Sequence, residues 1–165
     1  MSYANRGMGF EALIDHSNAM YDRKGIAVIN KRPTPVKVLG QNEKGMIHGF
    51  YEKSSTVDYD GVYRGRFLVF EAKSTQEKMR FDLSNIQQHQ YDYLKKVHLH
   101  GGIAFILVYF EKHQLTYLIE FETLKHYWER AQKGGRKSIR IEDFDIHAHQ
   151  VDAGRVPVDY LAIID

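Results

Sequence analysis

The 165-residue sequence contains no cysteine and only three prolines. Without cysteine there is no disulfide framework, and the composition fits a reducing compartment. The chain also has no apolar run of eighteen residues and no recognisable signal peptide. We therefore expect a cytoplasmic protein with no membrane span. A phosphate-binding loop of the form G-x-x-x-x-G-K-[ST] is missing as well, so ATP hydrolysis is not indicated.

The charge balance of the chain is only mildly basic, with a formal net charge of +2 and a pI near 8.7. A surface for nucleic acid must therefore be local rather than spread over the molecule. Nine histidines include the pairs His98-x-His100 and His147-x-His149. With no cysteine and no H-E-x-x-H helix, we do not expect a zinc site. The length predicts one domain with a well-filled core.

The segment 54–73 has the pattern of a β-hairpin. Two turn signals compete inside it, Asp60-Gly61 and Arg64-Gly65. Asp-Gly is the more common two-residue turn by composition. We nevertheless favour Arg64-Gly65, because this turn leaves Arg66 to Lys73 as one unbroken strand.

This register predicts a charged cluster at the open end of the hairpin. Asp58 lies directly opposite Glu71, Thr56 lies opposite Lys73, and all four side chains share one face. Opposed carboxylates repel by roughly 0.2–1 kcal/mol, and partial burial raises their pKa values. A hard cation such as Mg²⁺ would relieve both effects. Lys73 could then stabilise negative charge on a phosphate. The alternative is a solvated polar rim with a weak surface pair between Asp58 and Lys73.

Asp58, twelve intervening residues and Glu71-Ala72-Lys73 resemble the PD-(D/E)xK motif of the restriction-endonuclease-like nucleases. Longer strings are more specific and follow one another from Tyr3 almost to the C-terminus. They are Tyr3-Ala-Asn-Arg-Gly7, Lys31-Arg-Pro-Thr-Pro-Val36, Ser54-Ser-Thr-Val-Asp-Tyr59, Phe70-Glu-Ala-Lys73, His89-Gln90 and Gly135-Arg-Lys-Ser-Ile-Arg140. Together they resemble the RecU-type Holliday junction resolvases of Gram-positive bacteria and their phages.

The resemblance implies an α/β (α+β) fold with a restriction-endonuclease-like core, in which helices flank a mixed β-sheet. Residues 1–165 would form a single nuclease domain, with 33–53 inserted as a projecting β-ribbon stalk. A homodimer in the cytoplasm of a bacterium or a phage-infected host would place two sites on opposing strands of a four-way DNA junction.

The resemblance also implies an activity, namely paired symmetric nicking that leaves 5′-phosphate and 3′-hydroxyl ends. Asp58, Glu71 and Lys73 would be catalytic. Thr56, Asp58, Glu71 and Gln90 would surround Mg²⁺, for which Mn²⁺ should substitute.

The first helix is predicted over Asn5 to Lys24, because its apolar residues fall on one stripe of period 3.6. Glu11 lies at the edge of that stripe. It is either a solvated carboxylate or an outer-shell acid that reaches the metal site, as in the resembled superfamily. Arg6 could meet a DNA phosphate, although an exposed arginine needs no function.

A projecting ribbon is predicted after a short strand at Ile26 to Asn30. The prolines that follow stop regular pairing, and Val36 to Leu39 and Met46 to Tyr51 form the two arms. Phe50 and Tyr51 could stack on opened bases, a contact worth roughly 1–3 kcal/mol per base. They could equally pack on the base of the ribbon or at a dimer contact. Lys31 and Arg32 are expected to contact DNA beside the ribbon.

A second helix is predicted over Ser84 to Val97, capped by Asp82 or Ser84. Gln90 is the polar residue on its apolar stripe, and leaving its amide without a partner would cost roughly 1–3 kcal/mol. The partner is either a backbone group or, beside Thr56, Asp58 and Glu71, the metal. The match of His89-Gln90 to the family string favours the metal.

The C-terminal half is predicted to contain strands at Gly102 to Phe110, Leu115 to Glu120 and Val158 to Ile164, and a helix at Phe121 to Lys133. Three basic residues follow that helix, Arg136, Lys137 and Arg140. They suit backbone phosphates, or they form a solvated loop.

Two other functions stay open. The chain could be a nuclease of the same fold that cuts linear duplex DNA. It could also be a non-catalytic junction-binding protein, although the intact Asp58, Glu71 and Lys73 argue against that interpretation.

Overall fold

The computed structural model describes residues 9–52 and 56–164. Its helices are α1 (Phe10–Arg23), α2 (Gln88–Leu99), α3 (Phe121–Gln132), α4 (Ile141–His147) and α5 (Leu161–Ile164). Its strands are β1 (Ala27–Lys31), β2 (Val36–Gln41), β3 (Ile47–Tyr51), β4 (Tyr59–Tyr63), β5 (Arg66–Thr75), β6 (Arg80–Asp82), β7 (Ile103–Phe110), β8 (Leu115–Glu120), β9 (Ser138–Arg140) and β10 (His149–Gln150).

A mixed six-stranded sheet organises the fold, with strand order β1-β4-β5-β7-β8-β10. Strands β5 and β7 pair in parallel, and the other neighbours pair antiparallel. Helices cover both faces, which confirms the predicted α/β architecture. None of the helices in the described part of the chain has the length and apolar character needed to span a bilayer.

The sheet separates two hydrophobic cores. One core joins α1 and the C-terminal segment to one face, and the other joins α2, α3 and α4 to the opposite face. Strand β5 contributes side chains to both cores, because successive side chains point to opposite faces of the sheet. Leu68, Phe70 and Ala72 pack towards α1, whereas Val69 packs towards α2. Glu71 therefore emerges on the α2 face.

The predicted hairpin turn is confirmed. Arg64 and Gly65 connect β4 to β5, and both have positive φ angles, 49° and 74°. Two consecutive positive values are typical of the tight turn that matches the twist of a hairpin. The ladder pairs Tyr63 with Arg66 and continues to Tyr59 and Phe70, as the sequence predicts.

The predicted ribbon is also present, as a separate two-stranded sheet of β2 and β3. Its register shifts between Val38 and Gly40, which is the mark of a β-bulge. Both strands are almost entirely exposed. The ribbon therefore adds little to either core.

The beginnings of the first two helices differ from those predicted. Helix α1 begins at Phe10, because Gly9 has an extended backbone and takes the cap position; the earlier part of the predicted helix, 5–8, lies outside the described residues. Helix α2 begins at Gln88, with Gln87 as its cap, rather than at Ser84. Leu83–Asn85 instead forms a short 3₁₀ turn, which the hydrogen bond from Leu83 N–H to the Lys137 carbonyl holds in place.

The predicted strand at Val158 to Ile164 is wrong as well. The chain there ends in the helix α5, and the preceding Val158 and Tyr160 pack into the α1 core without joining the sheet. Short apolar runs carry no reliable period, so a strand and a buried helical turn look alike in sequence. The short pairs β6–β9 and β8–β10 and helix α4 were not predicted.

Candidate metal centre

Glu71 is the most deeply buried carboxylate of the predicted cluster, with 0% relative exposure. It lies on the central strand β5. The preceding Phe70 pairs with Tyr59 of β4, and Glu71 itself pairs with Ile106 of β7. The Lys73 ammonium contacts the Glu71 carboxylate at 2.9 Å, and the Lys73 side chain is 21% exposed. The acid is therefore rigid and internal, while the amine beside it reaches solvent.

Asp58 adjoins Glu71, although not as a ladder pair. Strand β4 begins only at Tyr59, so the backbone of Asp58 turns towards the neighbouring side chain. Its N–H donates to Glu71 Oε2 at 3.1 Å, and its own Oδ2 accepts from the Ala72 N–H at 3.0 Å. Two carboxylates thus meet at the open end of the hairpin as predicted, but through backbone-to-carboxylate hydrogen bonds rather than as a directly opposed ladder pair.

The electrostatics of this pair are unfavourable without a cation. Burial, and after it the charge of Asp58, raise the pKa of Glu71 from 4.5 to about 8, although Lys73 acts in the opposite direction. A cation between the carboxylates would favour the ionised form of both.

Gln90 reaches the same carboxylate from α2. Its side-chain nitrogen donates a hydrogen bond to Glu71 Oε1, and its side-chain oxygen accepts from the Gln87 N–H at 2.9 Å. The predicted use of the amide oxygen as a metal ligand is therefore not the arrangement seen here. Gln90 instead fixes the orientation of Glu71 and caps the helix with the other end of its amide.

The donor set suits a hard divalent cation. Within residues 9–52 and 56–164, no group of three or more histidine, cysteine, aspartate and glutamate residues could hold a metal ion. A cation at this place would therefore take two carboxylates and complete its shell with neutral oxygens and water. Mg²⁺ commonly binds in that way, through one or two carboxylates with several waters retained.

Comparison with known proteins decides the family. The family model described as Recombination protein U matches residues 5–165. The chain belongs to the RecU family. Three proteins named Holliday junction resolvase RecU are similar to it over 99% of its length. They come from Bacillus licheniformis (39% identity, 85% of that protein), Geobacillus kaustophilus (38%, 84%) and Bacillus subtilis strain 168 (36%, 82%).

Thr56 is the remaining predicted ligand in this RecU chain. It lies two residues before Asp58 in the sequence and is half-buried. Its hydroxyl oxygen accepts a hydrogen bond from Arg32 Nη1 at 2.7 Å. A hydroxyl oxygen has two lone pairs, so Thr56 keeps one for a cation or a water.

Glu11 does not contact the carboxylate pair. It is exposed on α1, on the other side of the sheet, and its Oε2 binds the Lys31 ammonium at 2.7 Å. Asp15 lies 3.7 Å from the same ammonium. Lys31, predicted to contact DNA, is thus held by two acids of α1, and the hydrogen bond to Glu11 is the main cause that raises its pKa.

The other predicted DNA contacts are spread over the RecU chain. Phe50 and Tyr51 are 51% and 75% exposed on the ribbon, and as neighbours on one strand they point to opposite faces. Arg6 and the string Tyr3 to Gly7 lie outside the described residues. Arg32 lies beside the carboxylates rather than on an open surface.

Two of the three basic residues that follow α3, Arg136 and Arg140, bind nearby protein groups. Arg136 Nε donates to the Ser138 hydroxyl at 3.0 Å, and Arg140 forms a two-point ion pair with Asp143 at the start of α4. Lys137 is exposed. Within the described part of the chain, no hydrogen bond or ion pair joins these three side chains to Asp58 or Glu71.

Sequence reasoning missed two residues around the site, Asp60 and Tyr93, and assigned Arg32 a different role. The contacts among these three residues form only when β1, β4 and α2 come together. A short motif spacing carries no signal for such long-range contacts.

Proposed function

We propose that this chain is a Mg²⁺-dependent endonuclease that resolves four-way DNA junctions by paired nicks. The observation that carries the proposal is the buried Glu71 held against Asp58 with the Lys73 ammonium 2.9 Å away. Membership of the RecU family supports the substrate, because relatives covering 99% of the chain are named Holliday junction resolvases.

Asp58 and Glu71 are the proposed ligands of the cation, with Thr56 as the adjacent neutral oxygen. Bound there, Mg²⁺ would supply Lewis-acid stabilisation of the scissile phosphate and lower the pKa of an attacking water. Mn²⁺ prefers similar oxygen donors and should substitute.

Lys73 is the proposed group that contacts the reacting phosphate. Its ammonium is anchored by Glu71 yet partly exposed, so it can donate to a phosphate oxygen as negative charge develops there. In the reaction, the oxygen of water bonds to phosphorus and the bond to the 3′ oxygen breaks. The attacking water releases a proton to solvent and the leaving oxygen takes one up, which gives 3′-hydroxyl and 5′-phosphate ends.

The ribbon is the proposed element that selects the junction. Phe50 and Tyr51 present exposed rings on both of its faces, and stacking on bases opened at the crossover would be sequence-tolerant. A homodimer, a cytoplasmic location and phosphate contacts by Lys31, Arg136, Lys137 and Arg140 belong to the same proposal.

The decisive experiment compares a four-way junction with a linear duplex of the same sequence at one salt concentration, because binding depends steeply on ionic strength. Wild-type protein with Mg²⁺ is expected to nick the junction at paired positions and to leave the duplex intact. Asp58→Asn and Glu71→Gln should abolish cleavage and keep junction binding. Asp22→Asn, an exposed carboxylate on α1, serves as the matched control.

The remaining outcomes separate the other functions. Equal cutting of linear duplex would make the chain a nuclease of broader substrate range. Junction binding without cleavage in Mg²⁺ or Mn²⁺ would make it a non-catalytic binding protein. Loss of cooperative unfolding in both carboxylate variants would make the pair structural.

A further inference from the structure

Arg32 holds together three segments that meet at the candidate metal centre. Its Nη1 donates to the Thr56 hydroxyl at 2.7 Å and to the Tyr93 hydroxyl at 3.3 Å, and its Nε lies 3.4 Å from Asp60 Oδ2. The guanidinium carbon lies 5.5 Å from the centroid of the Tyr93 ring. The guanidinium therefore contacts protein groups through Nη1 and Nε and lies over the Tyr93 ring.

The backbone of Arg32 adds a fourth contact. Its N–H donates to the Asp58 carbonyl at 2.8 Å. This bond extends the pairing of β1 with β4 one step beyond the last ladder pair, Lys31 with Tyr59. Asp58 is thus held on the side of β1 by Arg32 and on the side of β5 by Glu71 and Ala72.

Besides β4, which Arg32 reaches through Asp60, the side chain contacts two segments that carry residues of the candidate site. The loop before β4 carries Thr56 and Asp58, and α2 carries both Tyr93 and Gln90, the residue that fixes Glu71. Thr56 and Asp58 precede the first residue of β4, and the Arg32 N–H bond to the Asp58 carbonyl is the backbone contact that continues the pairing to Asp58. Thr56 lies beyond that bond. Its placement depends on side-chain contacts instead.

We propose that Arg32 is a positioning residue that sets the Thr56–Asp58 loop at the distance from Glu71 that cation binding requires. The inference rests on the proposed function for its role in cleavage, but cation binding can be measured without DNA. It differs from the sequence interpretation, in which Arg32 contacts DNA. The side chain of Arg32 is 33% exposed, and its Nη1 and Nε atoms face protein groups.

Arg32→Lys is the informative variant, because lysine keeps the charge and loses the planar fork that reaches several partners at once. The first measurement is the Mg²⁺ concentration at half-maximal thermal stabilisation of the protein without DNA. We expect this midpoint to rise at least fivefold. Junction affinity in EDTA should change less than twofold, and the single-turnover rate should fall about tenfold and recover at high Mg²⁺.

Two further variants complete the test. Tyr93→Phe removes one hydrogen-bond partner and keeps the ring, and should raise the Mg²⁺ midpoint in the same direction by a smaller factor. Arg66→Lys is the matched control, because Arg66 binds the Gly101 carbonyl at the opposite end of β5. It should leave the midpoint unchanged. If Arg32→Lys does not unfold cooperatively, Tyr93→Phe decides.

The proposal is overturned if the Mg²⁺ midpoint of Arg32→Lys equals that of the wild type. With an unchanged midpoint, weaker junction binding by the variant would make Arg32 a phosphate contact. A lower melting temperature alone would make Arg32 a structural residue. A wild-type protein that fails to cleave junctions would refute the proposed function. The midpoint comparison would still test the role of Arg32.

Discussion

The side chain of Gln90 joins the start of helix α2 to the buried carboxylate of Glu71. Its nitrogen donates to Glu71 and its oxygen caps the helix at Gln87. One amide therefore serves both the fold and the candidate site, and its loss should affect both.

Gln90→Met tests this connection. Methionine fills a similar volume but can neither accept a hydrogen bond from the Gln87 N–H nor donate one to Glu71. The Gln87 N–H therefore loses its partner, and Glu71 Oε1 keeps only the Lys73 ammonium of its two. We expect a loss of about 1–3 kcal/mol in the free energy of unfolding, measured by urea denaturation in EDTA. Gln88→Met is the control, because the Gln88 side chain donates to the exposed Asp92 on the solvent side of the same helix. Equal effects of the two substitutions would contradict the prediction.

Glu71→Gln should make the metal-free protein more stable at alkaline pH. The pKa of Glu71 rises from 4.5 to about 8 on folding, so between these values the native state holds a proton that the unfolded state lacks. The stability from this proton is complete below about pH 4.5 and is lost as pH rises through 8.

Melting temperatures in EDTA from pH 5 to 9 measure this effect. The wild type should lose stability over the interval relative to Glu71→Gln, and Mg²⁺ should restore the wild type alone. Parallel pH profiles for the two proteins would show that the carboxyl does not titrate in this range.

Two glycine substitutions should separate the ribbon from the sheet. A Cβ at Gly49 would lie 2.2 Å from the Lys37 carbonyl oxygen, and one at Gly61 would lie 2.1 Å from the Val28 carbonyl oxygen. Gly61→Ala strains the main sheet and should cost about 1–3 kcal/mol. Gly49→Ala strains only the exposed ribbon.

The measurements are thermal melting and junction affinity against linear duplex. Gly49→Ala should melt near the wild-type temperature and lose its preference for the junction. An unchanged preference would remove the ribbon from junction recognition.

Asp159 should stabilise the C-terminal segment through a charge-dependent contact. Arg155 and the Tyr21 hydroxyl bind its carboxylate, and these hydrogen bonds lower its pKa although burial acts against them. Its stabilisation is present above the unfolded pKa and is lost as pH falls through the lower folded value.

Asp159→Asn should therefore lower the free energy of unfolding by about 1.5–3 kcal/mol at pH 7. The difference from wild type should shrink below pH 3.8, the ordinary pKa of an aspartate. Urea unfolding at pH 7 and in acid gives the comparison. Asp152→Asn, at an exposed aspartate, should cost little at either pH. A loss for Asp159→Asn that stays constant with pH would assign the effect to packing.

Much of the fold follows from local patterns in the sequence. The hairpin turn, the exposed ribbon and the strands β7 and β8 depend on composition and period, and the structure confirms them. The start of α2 does not, because the contact between Leu83 and Lys137 fixes the preceding turn from a distant part of the chain.

Of the candidate site, only the part that the hairpin carries could be predicted from the sequence. The hairpin register brings Asp58 near Glu71, the hydrogen bonds to Glu71 and Ala72 complete the approach, and strand alternation places Lys73 beside Glu71. The direction of the Gln90 amide and the contacts of Arg32 depend on where α2 and β1 dock, which no local pattern specifies.

Strand β5 also limits how the chain can change in length. Successive side chains of β5 enter opposite cores. Deleting one residue between Arg66 and Phe70 would therefore move the Glu71 side chain to the face that packs against α1. A hydrophobic side chain would then occupy the proposed cation position. Natural insertions and deletions in this hairpin should therefore be confined to its loop or occur in pairs.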